Sequence, residues 1–197
     1  GIINAVNKPL DLLNQKNKII DLVFENGTEL INEWLTGDLS KQNWVITNAS
    51  EKDLELYWYW VNDKQVRENS INKEPISFAS HKKWFNKKLR EINCVFYLVL
   101  VNKHPIGQVR FEDEGDFARI DYSITRHFRK RNLGKKMLSI AIKKYQTDYY
   151  KKVMGEVLPR NIASAKVFES LGFTLEMKGA NMLYTKDIDN QLRVNAR

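Results

Sequence analysis

Between Cys94 and Ile124 the hydrophobic period of the chain becomes two, in the runs CVFYLVLVNK, IGQVRFED and ARIDYSI. A turn signal at His104-Pro105 parts the first two runs, and Glu114-Gly115-Asp116 parts the second from the third. Connections this short join strands only as antiparallel neighbours, because a parallel pair needs a long crossover. The centre of the fold is therefore predicted to be an antiparallel meander, and the other elements must pack onto it.

On its N-terminal side, WVITNAS (44–50) reads as a strand. Ser50 with Asp53 makes a helix-start pair, and one helical pattern continues through DLELYWYWVNDKQVREN. A second helix is predicted in SHKKWFNKKLRE. On the C-terminal side, GKKMLSIAIKKYQ reads as a helix, KVMGEVL as a strand, IASAKVFESLG as a helix, and TLEMKG with NMLYTKD as a closing hairpin. The order β-α-α-β-β-β-α-β-α-β-β describes an α+β domain, a mixed and largely antiparallel sheet flanked by helices. Residues 8 to 35 carry apolar residues at helical spacing, broken at Asn26-Gly27. They predict a helical appendage over residues 1–40, ahead of a domain at 44–187 and a tail at 188–197.

The 197 residues are 43% hydrophobic with a formal net charge of +8, which allows one sizeable core under a basic surface. Nucleic acid, an anionic surface and a phosphorylated small molecule all suit that charge. The single Cys94 excludes an internal disulfide, and His81, His104 and His127 are scattered, so no metal is expected. No apolar run nears the roughly 18 residues of a membrane span, and the opening residues lack a signal-peptide layout. A reducing cytoplasm and no membrane partner are the expectations. The first residue, Gly1, reads as a processed end or a cut from a longer chain.

The stretch HFRKRNLGKKM (127–137) places Arg129, Lys130, Arg131, Lys135 and Lys136 between the end of the meander and a helix start. The first N–H groups of a helix lack internal partners and carry partial positive charge, so such a loop suits phosphate. Gly134 permits close approach of an anion, and Asn132 tolerates positive φ. A solvated basic surface is the plainer reading of the same residues. No helix-turn-helix, zinc-finger or ribonucleoprotein signature supports nucleic acid as partner.

The run IDYSITRHFRKRNLGKKML resembles the signature of the GNAT superfamily of N-acetyltransferases, in which a strand leads into an Arg-x-x-Gly-x-Gly type loop. Arg129 takes the Arg position, Gly134 the last Gly, and Asn132 stands where the family usually has Gly. A second run, NIASAKVFESLGF, resembles the later motif of that superfamily through Asn161, Ser164, Phe168, Gly172 and Phe173. The resemblance covers about residues 44 to 187 and implies the GNAT fold with acetyl coenzyme A as acetyl donor. It assigns the pyrophosphate to Arg129, Lys130, Arg131, Asn132, Leu133, Gly134 and Lys135. Backbone groups at Ser123 and Ile124 would take the pantetheine arm and thioester oxygen, with Asn161, Ser164 and Phe168 further along the donor site.

Acyl transfer to an amine needs a proton acceptor for the nitrogen and a polarised carbonyl. The resemblance places a carboxylate base near the cleft, at Glu156 or at Asp121. Phe168 stands where many relatives carry a Tyr proposed as acid, and Phe has no proton to give. Tyr122, Tyr184 or water must then serve. Cys94 opens an apolar strand with no His nearby in sequence, so packing is its expected role.

The acceptor side contains Trp60, Asn62, Asp63, Val66 and Arg67, similar to a Trp-x-Asn-Asp-x-x-Val-Arg pattern. Ribosomal-protein N-terminal acetyltransferases and acetyltransferases of nucleotide-linked amino sugars share that pattern. The continuation through Ser70, His81, Trp84, Phe85 and PIGQVRF resembles the second group, which acetylates the 4-amino group of a UDP-linked dideoxy sugar toward pseudaminic acid. That resemblance implies a UDP-linked amino sugar as partner, met by Arg67, His81, Trp84, Phe85 and Tyr97; core packing is the plainer reading of Trp60, Trp84 and Phe85 at helical spacing. Protein N-terminal acetylation is the enzymatic alternative, and a basic nucleic-acid-binding module the non-enzymatic one. Residues 1 to 35 resemble the closing helices of a UDP-sugar hydrolase, which implies fusion to, or partnership with, that enzyme. Dimers are common in the superfamily, and a homodimer is one expected assembly.

Overall fold

The computed structural model describes residues 39–148 and 152–188, and the helices expected over residues 8 to 35 lie outside them. The chain divides into two units at Gln42–Asn43, and every element labelled below belongs to the second. Its strands are β1 (Trp44–Asn48), β2 (Cys94–Val101), β3 (His104–Asp113), β4 (Phe117–Ile124), β5 (Lys152–Val157), β6 (Thr174–Lys178) and β7 (Asn181–Asp187). Its helices are α1 (Leu54–Val61), α2 (Lys64–Glu68), α3 (Phe78–Lys88), α4 (Leu133–Asp148) and α5 (Ile162–Ser170).

The strands form a seven-stranded sheet in the order β1-β2-β3-β4-β5-β7-β6. Only the β4–β5 pair is parallel. The predicted meander is β2-β3-β4, with the α+β class and mixed sheet read from the sequence. Strand β2 is apolar on alternate and intervening positions alike because helices cover both faces. On one face Cys94, Phe96 and Leu98 pack with Tyr57, Trp60 and Phe85 of α1 and α3. On the other, Phe111 stacks on Tyr145 of α4 with ring centroids 4.2 Å apart and planes 8° apart.

Two local expectations are corrected. The single helix expected after Ser50 is broken at Asn62-Asp63. Asn62 turns its amide to the Ile76 backbone, donating to its carbonyl (3.0 Å) and accepting from its N–H (2.7 Å). Asp63, extended at φ −56° and ψ 135°, caps α2 by accepting from the N–H groups of Gln65 and Val66. The first hairpin turns at Asn102-Lys103, both with positive φ (47° and 72°), and His104-Pro105 already belong to β3. Positive φ at both central residues matches the twist of a two-residue hairpin.

The feature that builds the site is a parting of strands. β4 pairs with β5 only from Phe117 to Arg119, yet β4 continues to Ile124 and β5 to Val157. Residues Ile120 to Ile124 thus keep β3 on one side and lose a strand partner on the other. Near that end, β2–β3 pairing shifts register between Val99 and Leu100, a bulge that increases local twist. Gly107 sits there because a Cβ would come within 2.4 Å of the Ser123 carbonyl oxygen and 2.8 Å of Met137 Sδ.

Candidate active site

A cleft of about 880 Å³ is lined by the unpaired end of β4, by Glu156 of β5, by the starts of α4 and α5, and by side chains of α1, α2, α3 and β3. The basic loop enters α4 through two left-handed residues, Lys130 (φ 60°) and Asn132 (φ 58°). Asn132 suits that conformation, as its sequence position suggested, whereas Lys130 had no such signal. Gly134 lies in the first turn of α4, and a Cβ there would meet Val167 of α5 at 3.1 Å. Its smallness lets the start of α4 pack closely against the middle of α5. Lys130, Asn132, Leu133, Gly134 and Lys135 line the cleft, and Arg131 does not.

Arg129 lines the cleft with most of its guanidinium engaged. Nε donates to the Ile124 carbonyl (2.9 Å), and Nη1 reaches Asp63 Oδ1 (2.8 Å) and Gln65 Oε1 (3.0 Å). It ties the phosphate-type loop to the cap of α2. From the other side, Arg160 Nε donates to the Glu68 carbonyl (2.9 Å) and Nη2 to the Ser70 carbonyl (3.3 Å). The short helix carrying Arg67 is thus held at both ends by arginines from neighbouring loops.

Asn161 caps α5 by accepting from the Ser164 N–H (3.3 Å), and Ser164 Oγ lies 3.1 Å from the Tyr122 hydroxyl. Tyr122 lines the cleft and meets Phe168 edge-on at 5.9 Å. Burial pushes its phenol up to about 12, so it is protonated throughout the neutral range. Tyr184, the other tyrosine considered as acid, is fully buried, donates to Glu169 and does not line the cleft.

The two candidate carboxylates both line the cleft in different surroundings. Glu156 Oε2 accepts from Arg119 (3.1 Å) and Oε1 from Asn181 (2.6 Å). Asp121 Oδ1 accepts from Gln108 Nε2 (2.9 Å), while its second oxygen takes no hydrogen bond from the described residues. Asp121 also lies close enough to Arg67 to favour that guanidinium's charge, against burial, which pulls its pKa down.

Of the residues expected to meet the acceptor, Arg67, His81 and Trp84 line the cleft. Phe85 and Tyr97 do not: Phe85 is 0% and Tyr97 1% exposed, the first inside the α1–α3 core and the second edge-on to Phe111. Both belong to packing, because their positions on α3 and β2 face the covered sides of the sheet. Sequence reasoning missed Tyr57, Gln108 and Arg110, which also line the cleft. Gln108 and Arg110 alternate with Val109 and Phe111 and read as the wet face of a strand, but that face lies under helices.

Five cleft-lining residues carry a buried polar atom without a hydrogen-bond partner: Tyr57 hydroxyl, Arg67 Nε, His81 Nε2, Gln108 Oε1 and Arg110 Nε. Each such atom costs about 1–3 kcal/mol relative to a bonded one. His81 stays neutral there, its pKa lowered to about 4 by burial. The described residues hold no group of three or more His, Cys, Asp or Glu placed to bind a metal, and no helix long and apolar enough to cross a membrane.

A family model described as an acetyltransferase (GNAT) domain matches residues 44–174. The chain belongs to that family, and the matched residues lie within its unit from Asn43 onward. Among curated proteins it is 28% identical over 181 residues to uncharacterized protein MJ1062 of Methanocaldococcus jannaschii, covering 90% of this chain and 36% of that one. The chain thus spans little more than a third of that relative. Among solved structures, a domain from the same organism superposes with TM-score 0.67 at 25% identity, over 75% of this chain and 100% of that one. The ribosomal L7/L12 α-N-protein acetyltransferase RimL with coenzyme A gives TM-score 0.65 at 18% identity, over 77% and 97% of the two chains. Vibrio cholerae spermidine N-acetyltransferase, with coenzyme A and spermine, gives 0.62 at 16%, over 72% and 92%. The last two likenesses concern the fold.

Proposed function

We propose that this chain transfers an acetyl group from acetyl coenzyme A to the 4-amino group of a UDP-linked amino-dideoxy sugar. The observation that carries the acceptor reading is that Arg67 and His81 line a cleft wall shared with exposed Trp84, with Arg67 Nε and His81 Nε2 unpartnered, while the Arg67 terminal nitrogens hold the Asn72 and Glu74 carbonyls and Ser70 Oγ. Guanidinium and imidazole suit phosphate and uracil oxygens, and an indole face suits a base or sugar.

The donor fits the residues present. Backbone of β4 without a β5 partner, left-handed Lys130 and Asn132, and the α4 N-terminus give donors for a pyrophosphate and an edge for an extended arm. When bound, acetyl coenzyme A supplies a thioester carbon open to attack by a neutral amine. Asp121, fixed by Gln108 and with one oxygen unengaged, accepts the proton from the acceptor nitrogen. Glu156, fixed by Arg119 and Asn181, holds the β5 side of the cleft and orders water there. Tyr122, hydrogen-bonded to Ser164, holds the hydroxyl proton available to the departing sulfur.

The test is thiol release from acetyl coenzyme A with two acceptor pools, UDP-linked 4-amino-dideoxy sugars and short peptides with free N-termini. Release with the sugars alone supports the reading, and release with peptides alone moves the protein to N-terminal acetylation. Silence with both, together with salt-sensitive DNA binding, would favour the nucleic-acid module.

A further inference from the structure

We propose that Arg110 is the anion subsite of the acceptor pocket, so that the acceptor is an amine carrying a phosphate about 7 Å from its reacting nitrogen. This rests on the acetyl-transfer reading above and assigns a residue to which that reading gave no role.

Arg110 projects from the middle of β3 into the cleft wall. Its guanidinium carbon lies 5.1 Å from the Trp84 ring centre and 5.8 Å from that of Phe96. The two rings stand at 81° to each other, so the cation sits in an aromatic corner that draws on none of its N–H donors. Nε is buried without a partner, and the ion pair to Glu112 is long, at 4.0 Å. Glu112 is itself held by Lys88. An arginine held against two aromatic rings and left with unspent donors is suited to a planar or tetrahedral oxyanion.

The strand register supplies the spacing. Gln108 pairs with Ser123 and Arg110 with Asp121, so all four share one face of the β3–β4 ladder. The reacting nitrogen belongs at the Gln108 and Ser123 level, toward which Gln108 Nε2 draws the Asp121 carboxylate diagonally across the ladder (2.9 Å), leaving Gln108 Oε1 buried and unpartnered, an acceptor for an amine N–H. Two residues farther along β3, about 7 Å at the rise of an antiparallel strand, stands Arg110. A pyranose with its amine on C4 and a phosphate on C1 spans about that length. Polyamines and other polycations instead place a second positive charge where Arg110 and Arg67 already stand, which costs rather than gains.

The experiment measures kcat/KM of the wild-type protein, Arg110→Gln and Arg110→Lys with a UDP-linked 4-amino-dideoxy sugar and with the same amino sugar free at C1. The expected result is a wild-type preference for the phosphate-bearing acceptor that falls about 10- to 100-fold in Arg110→Gln. Arg110→Lys keeps the charge but loses the fork and falls between. A purely structural role would lower both acceptors together, so a preference unchanged in Arg110→Gln overturns the proposal while the acetyl-transfer reading stands. Thermal protection by coenzyme A reports whether each variant is folded, and Arg110→Lys decides if Arg110→Gln is not. If the wild type acetylates neither sugar, the proposed acceptor is wrong, and calorimetric titration of UDP into the coenzyme A-loaded protein decides the subsite. UDP binding lost in the Arg110 variants supports it, and UDP binding absent or indifferent to them ends it.

Discussion

At the scale of single residues, the carboxylates make the sharpest prediction. Asp121→Asn removes the proposed proton acceptor and is expected to lower kcat about 10²- to 10⁴-fold at neutral pH, whereas Glu156→Gln keeps a partner for Asn181 and is expected to cost far less. Paired pH–rate profiles check this, and a steep loss confined to Glu156→Gln would exchange the two roles. Gly155 predicts a packing effect instead. A Cβ there would fall 2.2 Å from Phe168 Cζ, and that ring is wedged between Tyr184, stacked at 5.4 Å, and Phe173, edge-on at 4.9 Å. Gly155→Ala should therefore destabilise by about 1–3 kcal/mol in urea unfolding. His81 predicts a pH effect. Its folded pKa of about 4 lies below the ordinary 6.5 because burial disfavours the cation. Above about pH 6.5 neither state is protonated and nothing is lost. As pH falls from 6.5 toward 4, the unfolded chain takes up a proton that the fold refuses, so up to about 3 kcal/mol of stability disappears. His81→Gln should flatten that part of the stability curve, and an unaltered slope would mean that other groups cause it.

At the scale of elements, the short helix α2 is the part whose placement has most bearing on the acceptor. Five residues do not form a stable helix alone, so α2 depends on Asp63 at its start and on Arg129 and Arg160 reaching in from loops. Removing Arg160 should loosen the helix and its Arg67 without touching the donor loop. Arg160→Ala is expected to raise the acceptor KM about 3- to 10-fold, the range for one or two lost hydrogen bonds, and to leave the donor KM near its wild-type value. Equal effects on both KM values would show that Arg160 acts on the donor side. The sequence made most elements legible because β2, β3, β4, α4 and α5 have the periodicity and caps of their class. It did not show the break at Asn62-Asp63, because α1 and α2 continue one helical pattern. The cause of the break is Ile76, fourteen residues away, whose backbone satisfies the Asn62 amide.

At the scale of the whole domain, the proposed donor loop and the proposed acceptor wall were legible to different degrees for a physical reason. Phosphate binding at a helix start leaves a local signature, a basic run with Asn132 and Gly134 in fixed order, and the structure sets those residues on the cleft. The acceptor wall is assembled from α1, α2, α3 and β3, so its members are far apart in sequence, and Gln108 and Arg110 carry no mark beyond alternation. Phe85 and Tyr97 illustrate the converse, since an aromatic side chain suits a core and a pocket equally until the fold decides. The same separation yields a test on the intact chain. If the basic charge serves a built donor site, coenzyme A at a hundred times its Kd should add about 2.7 kcal/mol of stability by linkage, and raise the melting temperature by about 5–10 °C for a unit of this size. Raising salt from 50 to 500 mM would screen the exposed charges, yet backbone N–H groups at the α4 start and the unpaired edge of β4 are not screened in that way. The protection should therefore persist at high salt with a modest loss. Protection that vanished with salt would mean that the coenzyme is held by surface charge alone, and the reading of the β4–β5 parting as the donor site would have to be given up.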